Sequence, residues 1–131
     1  MNVPEAWELC DCCGAGTKIA ICDDGVNADH EDLGPYIDVS LSRTFPDPTV
    51  PWSVAPYSSH GTKCASLATA ATHNDRRGMA SIAHLPAHLG DGLLVVLRNH
   101  YYPPFPPPDD QTFWSVMAQA MDYICGPIVN R

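Results

Sequence analysis

Apolar runs alternate with helical patterns along this chain, and that alternation predicts an α/β fold: a parallel sheet with flanking helices. Three observations carry the prediction. Residues 17–22 and 93–97 are β-rich apolar runs without polar alternation, the signature of strands covered on both faces. Residues 61–72 are rich in Ala, as suits a helix packed closely into a core. Near the other end, Phe113, Val116, Met117, Ala120, Tyr123 and Ile124 recur at helical spacing and define an amphipathic helix. No internal repeat is evident. With 131 residues the chain makes one domain and can bury about two thirds of its unfolded surface.

In chain order, residues 3–9 read as a short helix carrying Trp7, and Gly14-Ala15-Gly16 as a turn. The first buried strand, residues 17–22, follows. Residues 29–33 suit a helical turn or a loop. Between 45 and 57, Pro46, Pro48, Pro51 and Pro56 break any periodicity and predict a surface loop. The helix over 61–72 is expected to bring Leu67 into the core. Residues 93–97 form the second buried strand, and Pro103, Pro104, Pro106, Pro107 and Pro108 mark a polyproline-type excursion. The last helix begins near Asp110 or Thr112. The organisation is a single partial domain over 1–131 with a proline-rich insertion around 101–110.

The formal charge of −8 argues against nucleic acid and anionic membranes as partners and favours cationic substrates or divalent cations. Its acidity concentrates between Asp23 and Asp32. The run 93–97 is too short to cross a bilayer, and the first residues lack the basic start and apolar stretch of a secretory signal. Six cysteines form no repeated framework, so pairing and redox compartment stay open.

Two segments carry the chemistry. Ile19-Ala20-Ile21-Cys22-Asp23-Asp24-Gly25-Val26 is an apolar strand ending in a carboxylate, and Ser59-His60-Gly61-Thr62-Lys63-Cys64-Ala65 is a histidine opening a small-residue helix. A strand end aims its side chain into the crevice at the carboxyl edge of a sheet, where open α/β folds hold their sites. Gly25 permits a sharp exit after the acidic pair. An imidazole acting as general base must be held rigidly beside the group that orients it. Asp23 would fix the tautomer of His60, and His60 would take a proton from a serine hydroxyl.

These motifs, with His30-Glu31-Asp32-Leu33 downstream of the first, resemble the subtilisin superfamily of serine peptidases, in which the triad runs Asp, His, Ser along the chain. More narrowly, Asp-Asp-Gly and His-Gly-Thr-Lys-Cys-Ala resemble the kexin and furin branch. Val3-Pro4-Glu5-Ala6-Trp7 and residues 14–20 also fit its lead-in. The likeness covers 3–33 and 58–83, under half of a normal catalytic domain, and implies an N-terminal piece of an incomplete subtilisin-like fold. It implies Asp23 and His60 as catalytic residues, and Asp24 facing the subsite that receives a basic substrate residue. It also implies a Ca²⁺ site built from the carboxylate of Asp32, the side chain of Asn74 and the carbonyls of Ala71, Arg76 and Gly78, an oxygen donor set suited to a hard cation. Peptide or protein substrates, with basic residues at the cleavage site, and a secretory or extracellular address follow from the same likeness.

The chain also departs from that pattern. Ser66 stands where the family has Gly, Cys22 replaces an aliphatic residue, and 78–83 matches its segment loosely. Neither the oxyanion-hole Asn nor the Gly-Thr-Ser nucleophile motif is present, and Ser58, Ser59, Ser81 and Ser115 lack a glycine elbow. Little hydrolysis is expected from these residues alone. The alternative from another class is a non-catalytic module that kept part of a protease scaffold and holds a cation or a basic peptide in its acidic crevice. Simpler readings stand beside each motif: Asp23 as a turn residue before Gly25, His60 as a surface or capping histidine, Asp32 and Asn74 as solvated loop residues. Cys10, Cys12 and Cys13 have an unusual spacing for zinc, and Gly14-Ala15-Gly16 precedes its strand and lacks the third glycine of a dinucleotide fingerprint.

Overall fold

The computed structural model describes residues 2–9, 14, 16–53, 59–70, 78, 80–83, 93–99 and 109–128. The proline-rich segment and the cysteines at 10, 12 and 13 lie outside them. The elements are α1 (Val3–Leu9), β1 (Ile19–Asp23), β2 (Arg43–Phe45), α2 (His60–Ala68), β3 (Leu94–Asn99) and α3 (Asp110–Tyr123), which runs into a wider π-helical turn, Ile124–Ile128. Among the described residues the strands form one parallel sheet in the order β1-β3-β2, as the α/β prediction requires.

The central strand explains the layering. Successive side chains of a strand alternate between faces, and β3 sends apolar groups both ways. Leu94 and Val96 join Val26, Leu33, Tyr36, Ile37 and Ala65 of α2 in one core, while Val95 and Leu97 join Leu41 and Ala120 of α3 in another. All four strand side chains have zero exposure, so each contributes about 1.5–3 kcal/mol of burial. β1 follows the same rule at the sheet edge. Ile21 packs on the α2 side, whereas Ala20 and Cys22 pack on the α3 side, with Cys22 Sγ 3.7 Å from Met117 Sδ. Asp23 shares the parity of Ile21 and so belongs to the α2 side.

Several sequence expectations need correction. β1 is not fully buried: residues 19–22 are half-buried, because β1 pairs with β3 on one side and is the outer strand of the described sheet. Leu67 is not core but 70% exposed. α2 buries Gly61, Ala65 and Ser66 instead, a small-residue stripe that brings the helix close to the sheet. The loop expected from residue 45 is preceded by β2, a three-residue strand too short to leave a periodic signal. A 3-10 turn at Gly34–Tyr36 delivers Tyr36 into the core. α3 starts as expected at Asp110, capped by the Asp109 carboxylate accepting from Thr112 N–H at 2.6 Å. Beside the sheet, Lys18 donates to Asp38 at 2.7 Å and Asp38 N–H donates to Leu94 carbonyl at 2.8 Å, which ties the start of β1 to the loop before β2.

Candidate active site

Asp23 ends β1 at its carboxyl edge, and the chain leaves through Gly25 at φ +109, a conformation that glycine adopts without strain. α2, whose first residue is His60, follows β2 in the chain and packs back against the turn at Gly25. Asn27 N–H donates to Thr62 Oγ1 at 3.0 Å, fastening this turn to the helix. The result is close apposition: His60 Nδ1 lies 2.8 Å from each carboxylate oxygen of Asp23. The Asp23 side chain is 9% exposed, whereas the imidazole side chain is 63% exposed. A buried acceptor thus holds one nitrogen of a ring that otherwise faces solvent. The hydrogen bond and charge of Asp23 raise the His60 pKa above its ordinary value of 6.5.

Gly61 makes this approach possible. Its N–H donates to Asp24 Oδ1 at 2.8 Å, and a Cβ there would meet Asp24 Oδ1 at 2.8 Å, Asp23 Cβ at 3.0 Å and the carbonyl of Gly25. Only a residue without a side chain lets α2 come this near to β1. Asp24 is 5% exposed, and burial pushes its carboxyl above the ordinary carboxylate range despite the bond from Gly61. The side chain that the resemblance directs to substrate therefore also anchors the first turn of α2.

Sequence reasoning missed Cys64. One helical turn beyond His60, its Sγ lies 3.8 Å from Nδ1, a proximity that i, i+4 spacing would have signalled. Burial first, then the neighbouring Asp23, raise the pKa of this thiol. It stands by the nitrogen already held by Asp23, so neither its ionisation nor its position suits a nucleophile. Donor atoms of Asp23, His60 and Cys64 lie within 4.8 Å of one another, and a thiolate-binding metal there would compete with Asp23 for the imidazole.

Asp32 lies apart from this pair. It is 1% exposed, and its N–H donates to His30 Nδ1 at 3.2 Å. Gly78 has φ +67, and a Cβ there would overlap both oxygens of the Asp32 carboxylate, so the chain at 78 runs directly against it. A buried carboxylate with main chain drawn over it fits the oxygen donors of a calcium site. Asn74, Ala71 and Arg76 lie outside the described residues. Of the serines considered from the sequence, Ser59 directly precedes α2, the Ser81 hydroxyl donates to the carbonyl of buried Ser66, and Ser115 on α3 donates to Thr112 carbonyl.

Comparison with known proteins identifies relatives of this sequence. The profile of the Subtilase family matches residues 14–92. Neuroendocrine convertase 2 of Homo sapiens is 37% identical over 83 residues, 60% of this chain and 13% of the relative. The same protein of Bos taurus is 38% identical over 87 residues, again 60% of this chain and 13% of the relative. A calcium-dependent protease of Nostoc sp. is 39% identical over 90 residues, 64% of this chain and 12% of the relative. No solved structure gives a significant match. The chain thus spans a small part of the length of the curated relatives it matches.

Proposed function

This chain belongs to the subtilase family, and we propose that Asp23 and His60 are the orienting acid and general base of a subtilisin-type serine endopeptidase. The observation that carries the proposal is the 2.8 Å approach of both Asp23 oxygens to His60 Nδ1. With Nδ1–H donated to the carboxylate, the neutral ring keeps Nε2 as its acceptor. That nitrogen takes the proton of an attacking serine hydroxyl and returns it to the leaving amine. Buried Asp23 stabilises the imidazolium formed between these steps. The serine that attacks is not assigned among the described residues.

A peptide substrate with basic residues is the finer reading, supported by the likeness to neuroendocrine convertase 2 and by Asp24 next to the pair. Asp24→Asn preserves the acceptor for Gly61 N–H while removing charge, and should weaken selection for basic residues more than it weakens turnover. A secretory or extracellular setting is part of the same proposal. Calcium, when bound, would be held by Asp32 with the main chain at Gly78, and would supply structural stability. No helix among the described residues is long and apolar enough to cross a membrane.

The test is labelling by a fluorophosphonate, which reacts with an activated serine, applied to the polypeptide as expressed from its own gene. Labelling that falls on the order of 10²–10⁴-fold in His60→Ala supports the proposal, since general base catalysis contributes that much. Absence of labelling in the folded protein, or equal labelling of both proteins, overturns it.

A further inference from the structure

The first N–H groups of a helix find no partner within it and need an acceptor from outside. In α2 the bond from Lys63 N–H to the Ser59 carbonyl, at 3.0 Å, opens the helical ladder. Among the described residues Ser59, at the usual capping position, places no side-chain oxygen on this turn. The buried amide of Gly61 is served instead from the end of β1: it donates to Asp24 Oδ1 at 2.8 Å. Asp24 also reaches the other half of the pair, since its own N–H donates to Asp23 Oδ1 at 2.7 Å. One residue, 5% exposed, thus grips the orienting carboxylate with its amide and the residue after the imidazole with its carboxylate.

We propose, on the acid–base reading of the pair, that Asp24 is a positioning residue for His60: it caps α2 from β1 and so holds Nδ1 on the Asp23 carboxylate. The ring is largely exposed, so packing constrains it little and its place follows the backbone that carries it. The face that α2 buries, Gly61, Ala65 and Ser66, consists of small residues that interlock weakly with the sheet. A directional bond at the first turn therefore fixes the helix lengthwise. Asn27 N–H on Thr62 Oγ1 fastens the next residue, but the Asp24 clamp joins both partners of the pair. Nδ1 stands 2.8 Å from each Asp23 oxygen, and a slip of about 1 Å carries it out of hydrogen-bond range. Positioning and substrate recognition separate chemically: an acceptor oxygen suffices to cap, whereas attraction of a basic residue needs charge.

The test is nitrogen NMR of the imidazole in the full chain, at a pH where His60 is neutral. Wild type is compared with Asp24→Asn, Asp24→Ala and Asp24→Ser. All three variants remove the same charge, and only Asn keeps an acceptor that reaches Gly61 N–H. Wild type and Asp24→Asn should carry the ring proton on Nδ1. Asp24→Ala and Asp24→Ser should lose that preference, with protonated Nε2 appearing, at unchanged circular dichroism. In the wild-type chain, Gly61 N–H should exchange with solvent roughly 10–100-fold more slowly than an unbonded amide, the protection that a charged acceptor gives. An Nδ1 proton retained in Asp24→Ala and Asp24→Ser, an equal loss in Asp24→Asn, or a Gly61 amide exchanging freely would each overturn the proposal. A wild-type ring without its proton on Nδ1 would overturn the reading of the pair itself, and the positioning role with it.

Discussion

At the scale of single residues, the site is a matter of what is missing from glycine. Gly61 allows a helix and a strand end to meet closely enough for His60 to reach Asp23, and its Cβ would strike the acidic pair from the side. Gly61→Ala should therefore cost about 1–3 kcal/mol in denaturant unfolding, as overpacking does, and should lower the His60 pKa by pushing Asp23 away. Gly78 plays the same part over Asp32. The ion pair has a definite pH dependence. Because the folded-state pKa of His60 is raised, the contribution of the pair is fully present below the ordinary value of 6.5 and fades as pH rises through the folded pKa. Asp38 acts in the opposite direction. Burial would raise it, but Lys18, Ser40 and the Leu41 N–H outweigh burial and hold its pKa low. Its contribution is present above its unfolded value and is lost as pH falls, so Asp38→Asn should flatten the acid limb of a stability profile.

At the scale of elements, periodicity and punctuation explain what was legible. The apolar run at 93–97 located a covered strand, and the spacing of Phe113, Val116, Ala120 and Tyr123 located α3 and its inward face. Short pieces escaped. β2 has three residues, and its membership in the sheet comes from pairing with β3 rather than from any pattern of its own. Leu67 misled because hydrophobicity alone does not say which side of a helix is inward; α2 turns its smallest residues to the sheet and leaves Leu67 outside. Measured unfolding should separate the two kinds of leucine. Leu94→Ala should cost about 2–5 kcal/mol, as for a fully buried leucine, while Leu67→Ala should change stability by less than about 0.5 kcal/mol.

At the scale of the molecule, the described residues form a three-stranded parallel sheet with one helix on each face and a carboxylate and an imidazole at its carboxyl edge. Order along the chain made Asp23 and His60 candidates, but their contact depends on strand parity, the Gly25 turn and the small face of α2. Those are properties of packing, which no motif states. Calcium should raise the melting temperature of the protein relative to chelator, and the increment should vanish in Asp32→Ala; binding at a hundred times the dissociation constant is worth about 2.7 kcal/mol. The acid–base pair itself is tested most directly by an NMR titration of the His60 imidazole in the wild-type chain and in Asp23→Asn. A wild-type pKa above 6.5 that falls when the carboxylate is neutralised is the expected result. An imidazole that titrates identically in both proteins would contradict the pairing on which the proposed chemistry rests.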